Sequence, residues 1–361
     1  MSAPETMKMS LYFRNDDVKV VERPIPEIGG NEVLVRVVAC GICGSDTMQW
    51  YREPGTREKG GINTGHEIAG EIVRVGGSVT EYKPGDRVVV AHHFPCMSCV
   101  PCQDGNETAC EAMRDKHIEP GGFSQYIRIF ESGVRRGLFR IPDNVSFEHA
   151  SFTELLGCVV RSVRKVHPIA QRRVLVLGAG LSGLMHIRLA RALGAKKVYA
   201  VDPNEHRLEA AARSGADEVI NAGATLPRVD RVFVCTMSPR AAEAALECVD
   251  RGGQVLYFAT DGPDHQLCIN LTKFWTMQPS IRFSYGATPQ DMIEAIELIS
   301  TGKVRVDDLV THRFGIDQIG EAFLLAANPT NGSLKIIIEP QLASTVAPLS
   351  QLECANSNGS S

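Results

Sequence analysis

The sequence predicts an α/β protein with a β-rich, barrel-like first part and a doubly wound parallel sheet after it. Three observations carry this. Residues 7–129 read as short strand-like runs broken by Gly/Pro turns, strand-like and helical runs alternate from residue 173 onward, and Gly178, Gly180 and Gly183 stand where the first of those later strands would give way to a helix. The chain has 361 residues, more than a single core usually holds, so two domains are expected.

In the first part the runs 32–38, 67–75 and 87–91 are rich in Val and Ile, and the last follows a Lys83-Pro84-Gly85-Asp86 turn. Near Ser146 the pattern turns helical. Strands are then expected at 173–177, 197–202, 218–220, 231–235 and 254–258, with helices opening at Ser182, Glu205 and Pro239. A strand at 280–284 would close the sheet. A helix after Pro289, a strand-like return at 310–314, a helix from Asp317 and a last strand at 334–338 complete the pattern. From Gln341 onward Ser, Ala, Asn and Gly dominate without periodicity, which reads as a disordered tail over 341–361.

The composition removes several classes of function. Net charge is −4 and no Lys/Arg stripe occurs, so nucleic acid is not an expected partner. No apolar stretch approaches the roughly 20 residues of a spanning helix, so no membrane role is expected. Residues 1–17 lack the basic-then-apolar order of a signal peptide, and eleven cysteines, several at metal-type spacing, point to a reducing, cytoplasmic setting. Cys40, Cys158, Cys235, Cys248 and Cys268 sit among apolar residues and read as small core side chains, and Cys354 has no evident role.

Cys96, Cys99, Cys102 and Cys110 form a C-x2-C-x2-C-x7-C run with turns supplied by Pro95, Pro101 and Gly105. Four thiolates so close in sequence can surround one tetrahedral ion without the rest of the fold, which predicts a structural Zn²⁺. His92 and His93 just before it read as strand-end or pocket residues rather than ligands. A second, scattered set predicts a catalytic Zn²⁺: Cys43 and His66 lie in glycine-rich turns, and an open site needs three protein ligands with one position left for substrate. Glu67 and Glu154 compete for the third place, and spacing does not decide between them.

The glycine loop predicts a dinucleotide. Gly178 permits the tight turn, Gly180 lets a pyrophosphate approach the backbone, and Gly183 lets helix and strand pack closely, while Leu181 and Ser182 begin a helix whose N-terminus attracts the anion. Asp202 ends the next strand, about 20 residues on, where a carboxylate accepts from ribose hydroxyls and repels a 2′-phosphate. NAD is therefore expected over NADP, and Arg207 reads as a solvated or ribose-side helix residue.

Together Cys40-Gly-Ile-Cys43-Gly-Ser45-Asp46, Gly65-His66-Glu67, Lys83-Pro-Gly-Asp-Arg-Val, the four-cysteine run and the glycine loop resemble the zinc-dependent medium-chain alcohol dehydrogenases, notably the sorbitol and threonine dehydrogenase-like branch. The likeness runs in one order from residue 7 to residue 339. It implies a GroES-like catalytic domain over 1–152, a Rossmann NAD-binding domain over 153–289, a return to the catalytic domain over 290–340, and an active site between the two. It further implies Glu154 as the third ligand, with Leu155 where the branch has proline, and Glu67 as a nearby carboxylate that exchanges on and off the metal. Asp46 matches the residue that holds the histidine ligand, and Ser45 the hydroxyl that bonds the substrate alcohol. Met48 stands where the family often has a histidine, so the usual imidazole proton exit is missing.

The function implied is hydride transfer between a secondary alcohol of polyol, cyclitol or amino-alcohol type and NAD, giving the ketone. The segment 48–53, with Met48 and Trp50, together with Phe94, is expected to border the small-molecule pocket. Association as a homodimer or homotetramer through sheet edges is implied by the family likeness. Two other classes remain open: a zinc-stabilised NAD-binding protein without turnover, and an NADPH-dependent carbonyl or enone reductase.

Overall fold

A computed structural model describes residues 5–52, 59–330 and 332–342. The tail beyond residue 342 and Glu53 lie outside the described residues. Gln341, expected at the head of the tail, is tied to the first sheet, its side-chain amide donating to the carbonyls of Gln125 (2.7 Å) and Val37 (3.2 Å).

The β-rich part is built on Val33–Gly41, whose inward side chains Val33, Val35 and Val37 are fully buried. Glu67–Val75 pairs antiparallel along one edge of this strand, followed by Arg87–Val90 and Leu138–Arg140. On the other edge Tyr126–Ile129 pairs at one end, and Lys335–Glu339 pairs at the other through Ile337↔Gly41 and Ile338↔Cys40. Val310–Gly315 then adds parallel to Lys335–Glu339. The last strand among the described residues thus lies beside the end of Val33–Gly41 from which Cys43 follows.

The second sheet has six parallel strands in the order Glu218–Asn221, Lys197–Asp202, Arg173–Leu177, Val229–Val234, Val249–Tyr257, Ser280–Phe283. Val174 to Leu177 are at most 1% exposed, because helices cover both faces and every position of the run is buried. Strand order reverses on either side of Arg173–Leu177, which opens a crevice at the carboxyl ends, where such sheets bind ligands.

Thr153–Arg164 joins the two halves. It buries Leu155, Leu156, Val159, Val160 and Val163, an amphipathic spacing that packs against the helices Leu181–Ala192 and Pro289–Ser300. Glu154 and Cys158, one turn apart, share the flank that faces the cleft. Ala295, Leu298, Val304, Val306 and Leu309 belong to the same apolar cluster as the parallel sheet. Among the described residues no helix is long and apolar enough to cross a membrane.

Candidate active site

Cys43 leaves the end of Val33–Gly41 and caps the 3-10 turn Gly44–Asp46. Its backbone N–H donates to Asp46 Oδ2 (3.0 Å), so the turn folds Asp46 back under the thiol. His66 precedes Glu67–Val75 and is held there by Gly65, whose φ of +94° and close approach to the Phe123 backbone nitrogen (2.6 Å from an added Cβ) admit only glycine. Asp46, fully buried, lies 3.4 Å from His66 Nδ1 and 3.2 Å from Arg52 Nη2. Ser45 Oγ stands 3.5 Å from His66 Nε2.

The ligand atoms of Cys43, His66 and Glu67 lie within 4.8 Å of one another. Burial disfavours every charge here, but each ion is compensated by its neighbour: Asp46 and then Cys43 raise His66 well above the ordinary imidazole range, and His66 draws the Cys43 thiol and the Asp46 carboxyl down. The electrostatics favour a cation between Cys43 and Asp46. A soft thiolate, an imidazole fixed by a carboxylate and a nearby carboxylate suit Zn²⁺.

Glu67 is fully buried and ion-paired to Lys335, itself fully buried and brought there by the last strand. Gly41 leaves room for this pair, since a Cβ there would force the ends of both side chains to shift. Burial lowers Lys335 to about 8, against which the charges of Cys43, Cys40 and Asp46 act. Glu154 lies outside the compact trio but lines the same cavity as Cys43 and His66. Burial raises its carboxyl pKa although His66 opposes this, and Cys158 Sγ approaches its Oε1 at 3.6 Å.

The four-cysteine lobe closes as its spacing requires. Cys96, Cys99, Cys102 and Cys110 place their sulfurs within 4.8 Å of one another, with Cys99 and Cys102 Sγ 3.5 Å apart and the Cys96 N–H 3.4 Å from Cys110 Sγ. The Ser98 hydroxyl and nearby backbone N–H groups lower Cys96 to about 5. Such a set fits one tetrahedral ion.

The three glycines of the loop differ in what an added Cβ would meet. Gly178 takes φ +94° and an added Cβ would lie 2.7 Å from Thr236 Cβ; at Gly183 a Cβ would strike the Gly178 carbonyl; at Gly180 it would meet open space, where a pyrophosphate can come in. Asp202 is 3% exposed and already accepts from the Ala179 N–H (2.8 Å) and the Asn204 N–H (2.9 Å), so it also braces the loop. Arg207 Nη1 is 3.9 Å from Asp202 Oδ2, and Asn204 rather than Asp202 caps the following helix.

A cavity of about 660 Å³ lies between the β-rich part and the parallel sheet. From the β-rich side Cys43, Ser45, Tyr51, Arg52, His66, His92 and His93 line it, and from the parallel sheet Phe258, Tyr285, Gly286 and Ala287 do. Met48, Trp50 and Phe94, expected to border the pocket, are not among the residues that line this cavity. The one-turn helix Gln49–Arg52 presents Tyr51 and Arg52 inward, leaving Trp50 39% exposed against the edge of Tyr51. Met48 serves through its carbonyl, which accepts from the Tyr51 and Arg52 N–H groups, and the Phe94 ring is buried in a stack on His117 (3.8 Å). Cys158, expected in the core, lines the cavity, and its spacing of four from Glu154 was the available signal. His92 and His93 line the cavity, the His92 ring tilted against His66 (4.9 Å between centroids) and the His93 ring tilted against His92 (3.9 Å).

Comparison with known proteins agrees with this geometry. Residues 29–143 match the family described as alcohol dehydrogenase GroES-like domain, and residues 183–301 match zinc-binding dehydrogenase. An L-threonine 3-dehydrogenase of Bacillus licheniformis is 31% identical over 87% of this chain and 93% of its own length. A sorbitol dehydrogenase of Bacillus subtilis is 30% identical over 94% and 99%. The crystal structure of galactitol-1-phosphate dehydrogenase from Escherichia coli superposes with a TM-score of 0.79 at 25% identity, covering 92% of this chain and all of that one. With its two metal-type ligand sets, its glycine loop and the cleft between them, the chain belongs to the zinc-dependent medium-chain alcohol dehydrogenase family.

Proposed function

We propose that this chain oxidises a secondary alcohol of polyol, cyclitol or amino-alcohol type to the ketone, passing hydride to NAD⁺ in the cavity between its two sheets. The observation that carries the reading is the shared lining: Cys43, His66 and Glu154 face the same space as Phe258, which follows the carboxyl end of Val249–Tyr257. When bound, Zn²⁺ supplies Lewis acidity that lowers the pKa of a hydroxyl oxygen, and the nicotinamide accepts the hydride.

The chain's residues have the remaining roles. Cys43 and His66 hold the metal with a carboxylate, and Glu154 is favoured as that carboxylate because it lines the cavity while Lys335 neutralises Glu67. Asp46 fixes the His66 ring, and Ser45 orients the substrate hydroxyl and relays its proton, accepting it as its own passes on towards the nicotinamide ribose and water. Gly178, Gly180, Leu181, Ser182 and Gly183 receive the pyrophosphate, a role supported by the open space at Gly180, and Asp202 with Arg207 borders the adenosine ribose and favours NAD over NADP. Residues 1–152 and 290–340 form the catalytic unit and 153–289 the nucleotide unit. Copies associate as a homodimer or homotetramer through the open edge of Ser280–Phe283, a reading supported by the exposure of Leu271 (79%), Trp275 (78%) and Phe283 (65%) beside it. The protein works in the cytoplasm, in keeping with its unpaired cysteines.

The test is a metal assay joined to a screen of polyols, cyclitols and amino alcohols with NAD⁺, following NADH absorbance. Two zinc ions per chain and turnover of at least one class are expected. Cys43→Ala should abolish turnover, and full activity in that variant would refute the assignment.

A further inference from the structure

The charges around the cavity are unevenly partnered. Arg52 donates to the Ser45 carbonyl (3.0 Å) and to Asp46 Oδ1 (3.2 Å), and Lys116 is paired with Glu119 (2.6 Å). Arg114, which also lines the cavity, has no carboxylate partner among the described residues. Its guanidinium instead lies over the Tyr285 ring, 5.3 Å from the centroid.

This placement is built rather than incidental. Arg114 ends the 3-10 turn Glu111–Arg114, which begins on Cys110, the last cysteine of the metal lobe. Between them Met113 is 2% exposed, packs with Cys102 and Cys110, and donates its N–H to the Cys110 carbonyl (3.0 Å). Across the cavity Gly286 sits so close that an added Cβ would lie 3.0 Å from Met113 Cε. The Tyr285 hydroxyl meets that of Tyr51 at 2.9 Å. Arg114, itself exposed, stands where the lobe, the turn after Cys43 and the nucleotide half converge, held by its contact with Tyr285.

A guanidinium carries five N–H donors in a planar fork, and those that the Tyr285 hydroxyl does not take can meet a two-pronged acceptor. The adjoining Asp115 exerts its charge on His117. A neutral polyol would leave the edge of Arg114 to water, whereas a carboxylate or phosphate would satisfy it and neutralise it. We propose that Arg114 is a specificity-determining residue that binds an anionic group, carboxylate or phosphate, carried by the alcohol substrate at a distance from the carbon oxidised. The proposal rests on the dehydrogenase reading and narrows its substrate class.

The experiment uses the zinc-containing protein with NAD⁺ and matched sets of alcohols, from propanediol to hexitol, each as the neutral polyol, the terminal carboxylate and the terminal phosphate. The quantity read is the ratio of acidic to neutral kcat/KM within a set. One acidic arm should exceed its neutral partner by roughly ten- to hundredfold, and which arm does so identifies the anion. Arg114→Gln should bring that ratio towards one mainly through KM, Arg114→Lys should restore part of it, and added salt should erode it in the parent protein. Retention of both zinc ions in the variants checks their folding. Turnover that prefers the neutral polyol, or a ratio that Arg114→Gln leaves unchanged, overturns the proposal while the dehydrogenase reading stands. Absence of turnover with every set removes both.

Discussion

Asp46→Asn isolates what a buried carboxylate does for the open metal site. Asp46 has no exposed surface and three neighbours to satisfy: the Cys43 N–H at 3.0 Å on Oδ2, and Arg52 Nη2 at 3.2 Å and His66 Nδ1 at 3.4 Å on Oδ1. All three are donors when His66 presents Nε2 to the metal. Asparagine fills the same volume but has only one accepting atom, so in either orientation its NH₂ faces a donor. A donor left unpaired in such a place costs about 1–3 kcal/mol. The lost charge also weakens His66 as a ligand. Outer carboxylates of this kind are worth roughly 10–100-fold in metal affinity, or about 1.4–2.7 kcal/mol. Chelator competition on parent and variant should show a loss of that size at the Cys43 site, with the cysteine lobe still loaded. A variant that releases the Cys43-site metal no faster or more fully than the parent would refute the argument that Asp46 orients His66.

Three further outcomes are expected. Cys99→Ser should lose one of two zinc ions and lower the melting temperature by on the order of several degrees, because the lobe is a closed site remote from hydride transfer; unchanged zinc content would contradict this. Gly178→Ala forces an L-residue to φ +94° with its Cβ 2.7 Å from Thr236, and should weaken NADH binding by roughly tenfold in a fluorescence titration; parent-like binding would show that the loop can relax. His186, fully buried, donates from Nδ1 to the Ser182 carbonyl (2.7 Å) with Ser162 at Nε2 (2.7 Å), and burial lowers its pKa from 6.5 to about 4. The neutral ring is the folded form, so its contribution is complete above pH 6.5 and is lost as pH falls towards 4, by up to about 3 kcal/mol. Denaturant unfolding of parent and His186→Gln over that window should differ in slope, and identical slopes would exclude the assignment.

Much of the site could be read from the chain because its signals are local. The cysteine lobe is written within fifteen residues, and turns supplied by Pro95, Pro101 and Gly105 bring its thiols together whatever surrounds them. The glycine loop is equally local, since strand, turn and helix start are consecutive and Gly183 answers the Gly178 carbonyl five residues before it. Cys43, Asp46 and His66 were legible as ligand chemistry in glycine-rich turns, and two adjoining strands bring those turns together.

The tertiary structure decided what depends on register between distant segments. Lys335 reaches Glu67 only because Ile337 and Ile338 pair with Gly41 and Cys40, and Glu67 lies in the strand paired along the other edge. A slip of one residue would turn Lys335 to the opposite face. The cavity wall obeys the same logic: the choice of Tyr51 over Trp50, of Cys158 beside Glu154, and of Tyr285 against Arg114 is made by how a one-turn helix, a long helix and a metal lobe abut. Spacing along the chain specifies which atoms can share an ion or a phosphate, because those contacts close over a few bonds. Which side chains face a substrate is set by packing between elements hundreds of residues apart, and no local pattern records it.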